Sequence, residues 1–400
     1  MFILIGIIIG ATAGIACGWF FGTDMLAIKW LGDFFLDTLK MLIVPLIVAA
    51  VISGVASLGD VRKLGRLGGI TVTYYFITTA MAVLLGLILV NIIQPGAGLS
   101  PPAGVSTDLS DKEVGVTEIL LSLVNPNIVS AAAEGLFLPL IVFSIMLAAA
   151  LTTVGKRGEH VIEFFNGIND AMMTLVTWLM YLAPIGIFAL IAARLGQAGG
   201  GAAFLAELRA VGAYVVTVLL GLALHFGVLV AILVGLGRQK LTFITGLGRA
   251  LLTAFGTASS SATLPLTMEC TRECGIGERA VRFVLPLGST VNMNGTALYE
   301  AVAAMFIAQA YGIDLSIGQQ AIVFVTASLA AVGAAGIPEA GLVTMVIVLK
   351  AVGLPLDGIA LLLAVDWFLD RFRTVINIWG DAVGAAVVQR LAPDVSGDTQ

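Results

Sequence analysis

Charge is scarce in this sequence. Asp, Glu, Lys and Arg make up 11% of the 400 residues, where a soluble domain carries about 25%. So few charges cannot cover a water-exposed surface, so a soluble globular protein is excluded, as are collagen, coiled coil and disorder. Cysteine is scarce as well: Cys17, Cys270 and Cys274. The last two form a C-x3-C with no histidine nearby and no second cysteine pair, which excludes a disulfide framework and a zinc site. His160 and His225 are the only histidines, and neither lies beside a motif. An intramembrane enzyme is therefore without a His base or a metal cluster, and Ser259–Ser261 read as ligand-binding or packing residues rather than nucleophiles. Twenty Lys and Arg spread thinly exclude nucleic acid as a partner.

Apolar residues and glycine are plentiful. Hydrophobic residues are 59% of the chain and glycines number 47, a composition that suits close helix packing and broken helices in lipid. The first run, Phe2 to Phe21, has no basic n-region and no clear cleavage site, so it reads as a transmembrane helix rather than a signal peptide. Further apolar runs follow at about Leu26–Ser57, Leu67–Ile93, Ile128–Val154, Ala171–Ala193 and Leu208–Leu236. The polar stretch Gln94–Thr117 reads as an exposed loop, and the tail from Pro393 as a frayed end. Basic residues sort to one side. Arg62, Lys63 and Arg66 follow the second run, Lys156 and Arg157 the fourth, and Arg238 and Lys240 the sixth. The positive-inside rule then puts both termini in the cytoplasm.

From Leu241 onward the pattern changes. A small, polar knot, Thr253–Pro265, separates two half-length apolar stretches, and Ala330–Gly341 does the same further on. Neither half can cross ~30 Å of hydrocarbon alone, so each pair reads as a hairpin that enters and returns on one side. Each knot is followed by a long helix with polar residues in its middle: Arg279–Tyr311, interrupted by Asn292-Met293-Asn294-Gly295-Thr296, and Leu354–Leu391. Paired, interrupted segments in corresponding positions point to a transporter site; a channel filter and plain Gly-rich packing are the alternatives. In the last helix Asp366, Asp370, Arg373/Thr374, Asn377 and Asp381 fall on one face. Ionised groups at membrane depth cost roughly 2.5–3.5 kcal/mol each, so this face must meet protein, water or a ligand. It could be a self-neutralising ion-pair ladder. It also offers an ammonium acceptor, Asp370, one turn from a planar carboxylate fork, Arg373, with the Thr374 hydroxyl beside them. That set complements an amino acid with an acidic side chain.

These segments resemble the dicarboxylate/amino acid:cation symporters, the glutamate transporter family. The motifs that carry the resemblance are Ala258-Ser259-Ser260-Ser261, Asn292-Met293-Asn294-Gly295-Thr296, Ala335-Gly336-Ile337-Pro338-Glu339-Ala340-Gly341, and Asp370-Arg371-Phe372-Arg373-Thr374-Val375-Ile376-Asn377. The resemblance implies an all-α membrane protein. It would be a homotrimer with eight transmembrane helices, two re-entrant hairpins and inverted repeats in each subunit, working as an elevator. Spans 1–2 (1–66) and 4–5 (128–205) would form a scaffold. Span 3 (67–93) and residues 206–392 would form the transport domain: span 6, hairpin 1 at about 241–274, span 7 at about 279–311, hairpin 2 at about 318–353 and span 8 at about 354–391. Residues 94–127 would be external, and 393–400 a tail.

By the same resemblance the cargo is glutamate or aspartate, moved by cation gradients; a neutral amino acid, a C4-dicarboxylate or an anion conductance are the alternatives. Arg373 speaks against the first of these and Asp370 against the second. Substrate would meet Ser259, Ser260, Thr296, Ile337, Gly341, Asp370, Arg373, Thr374 and Asn377. One sodium would use Asp381 with Gly288, Asn292 and Asn377. A second would lie between Ala331, Val332, Ala334 and the Thr290/Met293 region. These are hard oxygen donors, apart from Met293's sulfur.

Two departures from the family pattern stand out. The family's third sodium position carries an Asp where this chain has Asn294, expected to face Tyr75, Thr78, Thr79 and Asn292; loss of that charge weakens the site. Glu300 and Arg371 resemble the animal members, where the Glu is tied to proton co-transport and potassium counter-transport. Withdrawal from water favours a neutral carboxyl, which can carry a proton; a plain ion pair of Glu300 with Arg371 is the other reading. The expected coupling ions are therefore H+ and/or Na+, with K+ as a further candidate and no organic cofactor. The expected partners are the acidic amino acid and the lipid bilayer, and the expected location is the inner (plasma) membrane.

Overall fold

The computed structural model describes residues 2–57, 65–99, 117, 121–197, 201–332 and 340–392. Among these residues all regular structure is helical, without a strand. This follows from apolar runs too long for strands and from a solvent, lipid, that leaves no backbone group unsatisfied only if each segment bonds to itself.

Helix α1 covers Phe2–Phe21, the span predicted from its apolar run. A 3-10 turn at Gly22–Ile28 leads into α2, Lys29–Ala56. Next come α3 (Gly65–Ile93), α4 (Ile128–Glu134) and α5 (Phe137–Thr153). The run expected to be continuous over Ile128–Val154 is therefore broken. Gly135 takes φ +70°, a left-handed cap that ends α4 and satisfies its last carbonyls. The fifth run differs too. It is two helices, α6 (Lys156–Met180) and α7 (Ala183–Gln197), bent by 58° at Tyr181–Leu182.

Helix α8 (Gly201–Gly235) closes the first stretch. Short α9 (Thr242–Gly246) precedes the first hairpin, α10 (Gly248–Thr257) and α11 (Ser260–Glu273). The interrupted helix is α12 (Glu278–Val291) and α13 (Asn294–Ala310). The second hairpin is α14 (Ile317–Val332) and α15 (Ala340–Ala351), and α16 (Ile359–Leu391) ends the described chain. Arg62, Lys63 and most of the Gln94–Thr117 loop lie outside the described residues, as does the tail from 393.

By length and composition alone, the described helices suited to cross a membrane are the stretch Ile5–Ala56, α3 and Leu205–Gly235, with the bent α6–α7 pair as a fourth. The other segments are short, like 17-residue α5 and 16-residue α14, or polar in the middle.

Two packing groups emerge. In the first, α1 lies along α7, while α2 packs on α5, α6 and α7. The α1–α7 seam is a glycine ladder, Gly6, Gly10, Gly14 and Gly18, one residue every four. A Cβ on Gly10 would overlap the Pro184 carbonyl, and one on Gly14 would come within 2.9 Å of the Phe188 carbonyl. Only glycine lets these backbones approach so closely. In the second group α16 is central, flanked by α8, α10, α11, α12, α13 and α3, with the α14–α15 hairpin on α13.

Candidate substrate and cation site

The site begins with two places where helices stop inside the second group. At the tip of the first hairpin Ala258 sits at φ +49° and Ser259 is extended, its Oγ accepting from the Ala262 N–H at 3.1 Å. Ser259 thus caps α11, and Ser260 is buried in its first turn. Between α12 and α13, Asn292 (φ −106°, ψ 63°) and Met293 (φ −91°, ψ 60°) leave helical geometry. That break turns peptide groups and both asparagine side chains toward α16, which runs past it unbroken.

Arg373 is the centre of the α16 face. It is fully buried, with Nη1 3.0 Å from Asp366 Oδ1 and Nη2 donating to Asp370 Oδ1 at 2.7 Å. Its Cζ lies 3.9 Å from the centroid of the Tyr299 ring. The two carboxylates and the guanidinium thus form a buried triad stacked on an aromatic face. Close approach is built in by glycine. A Cβ on Gly341 would stand 2.6 Å from Arg373 Nη1, and one on Gly295 2.6 Å from the Arg373 carbonyl. Thr374 donates to the Asp370 carbonyl at 2.8 Å. Asn377 accepts from the Gly295 N–H at 2.7 Å and donates to Met293 Sδ and Thr296 Oγ1. Asp370, Arg373, Thr374, Asn377, Thr296 and Gly341 are therefore brought together. Ser259 and Ser260 are buried at the first hairpin's tip, where Arg371 of α16 reaches the last turn of α10. Ile337, Ala334 and the remainder of the second hairpin's tip lie outside the described residues.

One turn beyond Asn377, Asp381 is buried and accepts from Asn292 Nδ2 at 2.9 Å. A Cβ on Gly288 would overlap its carboxylate, so the Gly288 backbone is against it. Asp381 forms no ion pair among the described residues, and its neighbour is a neutral amide. A buried carboxylate with no counter-charge among the described residues, and with the Tyr75 hydroxyl close to the Gly288 backbone it packs on, is compatible with a small hard cation such as Na+, carried as cargo. Thr290 donates to the Leu287 carbonyl at 3.0 Å, and Ala331 and Val332 end α14.

The Asn294 station is different. Thr79 donates to Asn294 Oδ1 at 2.8 Å, while Asn294 Nδ2 is buried with no hydrogen-bond partner among the described residues. Thr78 donates to the Tyr74 carbonyl at 2.9 Å and reaches Asn292 Oδ1 at 3.4 Å; Tyr75 donates to the Val284 carbonyl at 2.5 Å. An amide that turns its NH2 into the site presents donors, not charge, to a cation.

Glu300 is buried in α13 beside the Thr344 hydroxyl, and among the described residues neither of its oxygens makes a hydrogen bond of good geometry. The ion pair with Arg371 is not formed. Arg371 Nη1 instead donates to the carbonyls of Phe255 and Gly256 at 2.9 Å each, at the C-terminal end of α10. Those are carbonyls with no partner further along the helix, which a guanidinium satisfies well. Two contributors escaped the sequence reading as site residues. Asp366 belonged to the charged face, but its hold on Arg373 was not legible. Tyr299 precedes Glu300 on an apolar helix and carries no signal of its own.

The sodium:dicarboxylate symporter family model matches residues 3–391. Excitatory amino acid transporter 3 of Oryctolagus cuniculus is 40% identical, over 90% of this chain and 78% of its own. An excitatory amino acid transporter of Caenorhabditis elegans is 40% identical, over 91% and 81%, and excitatory amino acid transporter 4 of Mus musculus 38%, over 90% and 77%. With a match along nearly its whole length, the chain belongs to the sodium:dicarboxylate symporter family.

Proposed function

We propose that this protein takes up acidic amino acids, aspartate or glutamate, by symport with cations. The observation that carries the proposal is the buried Asp366–Arg373–Asp370 triad. Its two carboxylates outnumber its one guanidinium, so the cluster holds an unbalanced negative charge that an α-ammonium at Asp370 neutralises. A substrate side-chain carboxylate takes the place of Asp370 on Arg373 Nη2, while Asp366 keeps Nη1. One internal ion pair is exchanged for two intermolecular ones, and no buried charge is left alone. The α-carboxylate then falls to Asn377 and to the Ser259–Ser260 turn at the first hairpin, where α11 begins and its free N–H groups favour an anion.

Electrostatics also motivates the coupling. An acidic amino acid brings a net negative charge into a region that already holds the triad's excess and Asp381. In a low dielectric that accumulation is prohibitive unless cations enter with it. Asp381 with Gly288, Asn292 and Asn377 is the station for one sodium, and Thr290, Met293, Ala331 and Val332 border a second. Glu300 takes a proton with substrate and gives it up to the cytoplasm before the empty site returns. Asn294 contributes little to sodium binding. Potassium would occupy the returning form.

The relatives' names, which describe excitatory amino acid transporters, support this cargo. In this reading each subunit has eight spans and two re-entrant hairpins. The α1–α2, α5–α7 group is the scaffold of a homotrimer, and the α16-centred group, with α3 and α8, slides as an elevator. The protein sits in the plasma membrane with both termini in the cytoplasm, a topology supported by exposed Arg66, Lys156, Arg157, Arg238 and Lys240.

Uptake of radiolabelled aspartate and glutamate into proteoliposomes tests this, with Na+, H+ and K+ gradients imposed one at a time. Accumulation driven by at least one inward cation gradient is expected. Equilibration with no gradient dependence, or a current reversing at the chloride potential with no accumulation, would overturn it.

A further inference from the structure

Away from the site, a second cluster of buried polar groups lies where the two helix groups meet. Arg194 is in the last turn of α7, in the first group. Its Nη2 lies 3.0 Å from Oε1 of Glu207, two turns into α8, with both side chains more than nine-tenths buried. On another side the Arg194 guanidinium faces the ring of Tyr311, 5.6 Å to the centroid, at the end of α13. Glu207 and Tyr311 both belong to the second group, because α8 packs along α16 and α3, and α13 against α3 and α16. Arg194 is thus held from the opposite side of the joint by a charge and by an aromatic face.

The cluster is only partly satisfied. Arg194 Nε and Nη2, Glu207 Oε2 and the Tyr311 hydroxyl are buried without a hydrogen bond of good geometry among the described residues. A fully satisfied buried pair is a permanent weld, because opening it strands charges in a low dielectric. A pair at contact distance but off hydrogen-bond geometry holds less firmly. Its position matters equally. Displacement of one group past the other by more than a few ångströms must part Arg194 from Glu207 and Tyr311, because a 3.0 Å contact does not stretch.

We propose that Arg194, Glu207 and Tyr311 form a latch that holds the two helix groups in the described arrangement and opens once in each transport cycle. This rests on the reading that the two groups slide past one another. The latch would slow departure from this arrangement and so set part of the turnover time, without touching substrate.

Spin labels on exposed Lys156 in α6 and Arg238 after α8, in a background with Cys17, Cys270 and Cys274 replaced by alanine, report the distance between the groups in the full-length protein in liposomes. Arg194→Met with Glu207→Leu removes both charges together and leaves no buried ion unpaired. The expected result is at least a threefold fall in the population at the described distance, with aspartate affinity unchanged. An unchanged distance distribution would overturn the latch. A second arm does not depend on that variant folding. Arg194→Cys with Glu207→Cys, bridged by a short reducible thiol cross-linker, should still bind aspartate but lose turnover, and regain it on reduction. Turnover at the unbridged rate would also overturn it. If the parent protein accumulates no aspartate, the substrate reading fails, and the spin-label distances still decide the latch.

Discussion

Two buried arginines, Arg373 and Arg194, are built from the same parts and differ in their charge balance. Each is paired with acid and faces a tyrosine ring, Tyr299 at 3.9 Å and Tyr311 at 5.6 Å. Arg194 has one acid, Glu207, so the charges balance even though the pair's hydrogen bonding is incomplete. Arg373 has two, Asp366 and Asp370, so the acids outnumber the base, and on the proposed function the substrate's ammonium restores the balance. Surroundings differ as well. Arg373 lies against Gly341 of the second hairpin, whereas Arg194 is wedged between long helices. On the two proposals a buried arginine is a binding group where its partners outnumber it and a fastening where they balance it in a joint.

The sharpest way to break this comparison is to remove Arg373. Arg373→Ala should cost aspartate binding about 30-fold or more, since truncating one partner of a buried charge pair costs roughly 2–5 kcal/mol. The loss should be specific, with neutral amino acids gaining relative to acidic ones. Competition binding on the purified protein reads both, and an unchanged aspartate affinity would remove Arg373 from the site. The same truncation at Arg194 should leave equilibrium affinity alone.

The charged face of α16 was legible because a helix repeats every 3.6 residues, so spacings of three and four put Asp366, Asp370, Arg373, Asn377 and Asp381 on one side. The bounds of α1 were equally plain, for an uninterrupted apolar run has few ways to end. The break at Gly135 and the bend between α6 and α7 were not. Both fall inside apolar stretches whose composition hardly changes, and α6 begins far upstream in a polar segment that hydropathy skips. Contacts distant in sequence were invisible for a different reason. No local pattern announces that Glu207 meets Arg194 or that Tyr299 lies under Arg373; packing alone decides it.

Next in expected size is Glu300, which tests whether a buried acid outside the Arg373 cluster is functional. It is buried beside the Thr344 hydroxyl, and Arg371 is committed to the carbonyls of Phe255 and Gly256. Glu300→Gln keeps the shape and removes the exchangeable proton. Net uptake driven by a pH gradient should fall about tenfold or more, a barrier of roughly 1.4 kcal/mol per decade. Substrate exchange should persist, because it needs no return of the empty site. Uptake indifferent to the pH gradient in the parent, with Glu300→Gln transporting normally, would leave Glu300 a packing residue.

The smallest effect is expected at Asn294, and it bears on how far the balance rule extends. Asp381 and Asn294 lie near each other across Gly380, since a Cβ on Gly380 would stand 2.9 Å from Asn294 Nδ2. Among the described residues Asp381 is an acid with no ion-pair partner, and Asn294 is a neutral amide whose NH2 has no hydrogen-bond partner. Asn294→Asp replaces that donor with an acceptor and adds the missing charge at almost constant volume. Thr79 already donates to the retained oxygen, so the new carboxylate starts with one hydrogen bond in place. Without a cation this variant is the less stable, because two carboxylates then share a buried region. With sodium present it should bind the ion several-fold more tightly, and the sodium dependence of uptake should steepen. A titration of substrate binding against sodium, in the parent and in Asn294→Asp, measures both the midpoint and the slope. Identical curves would mean that the surroundings of Asn294 cannot hold a cation whatever charge is placed there, and that charge balance alone does not make a site.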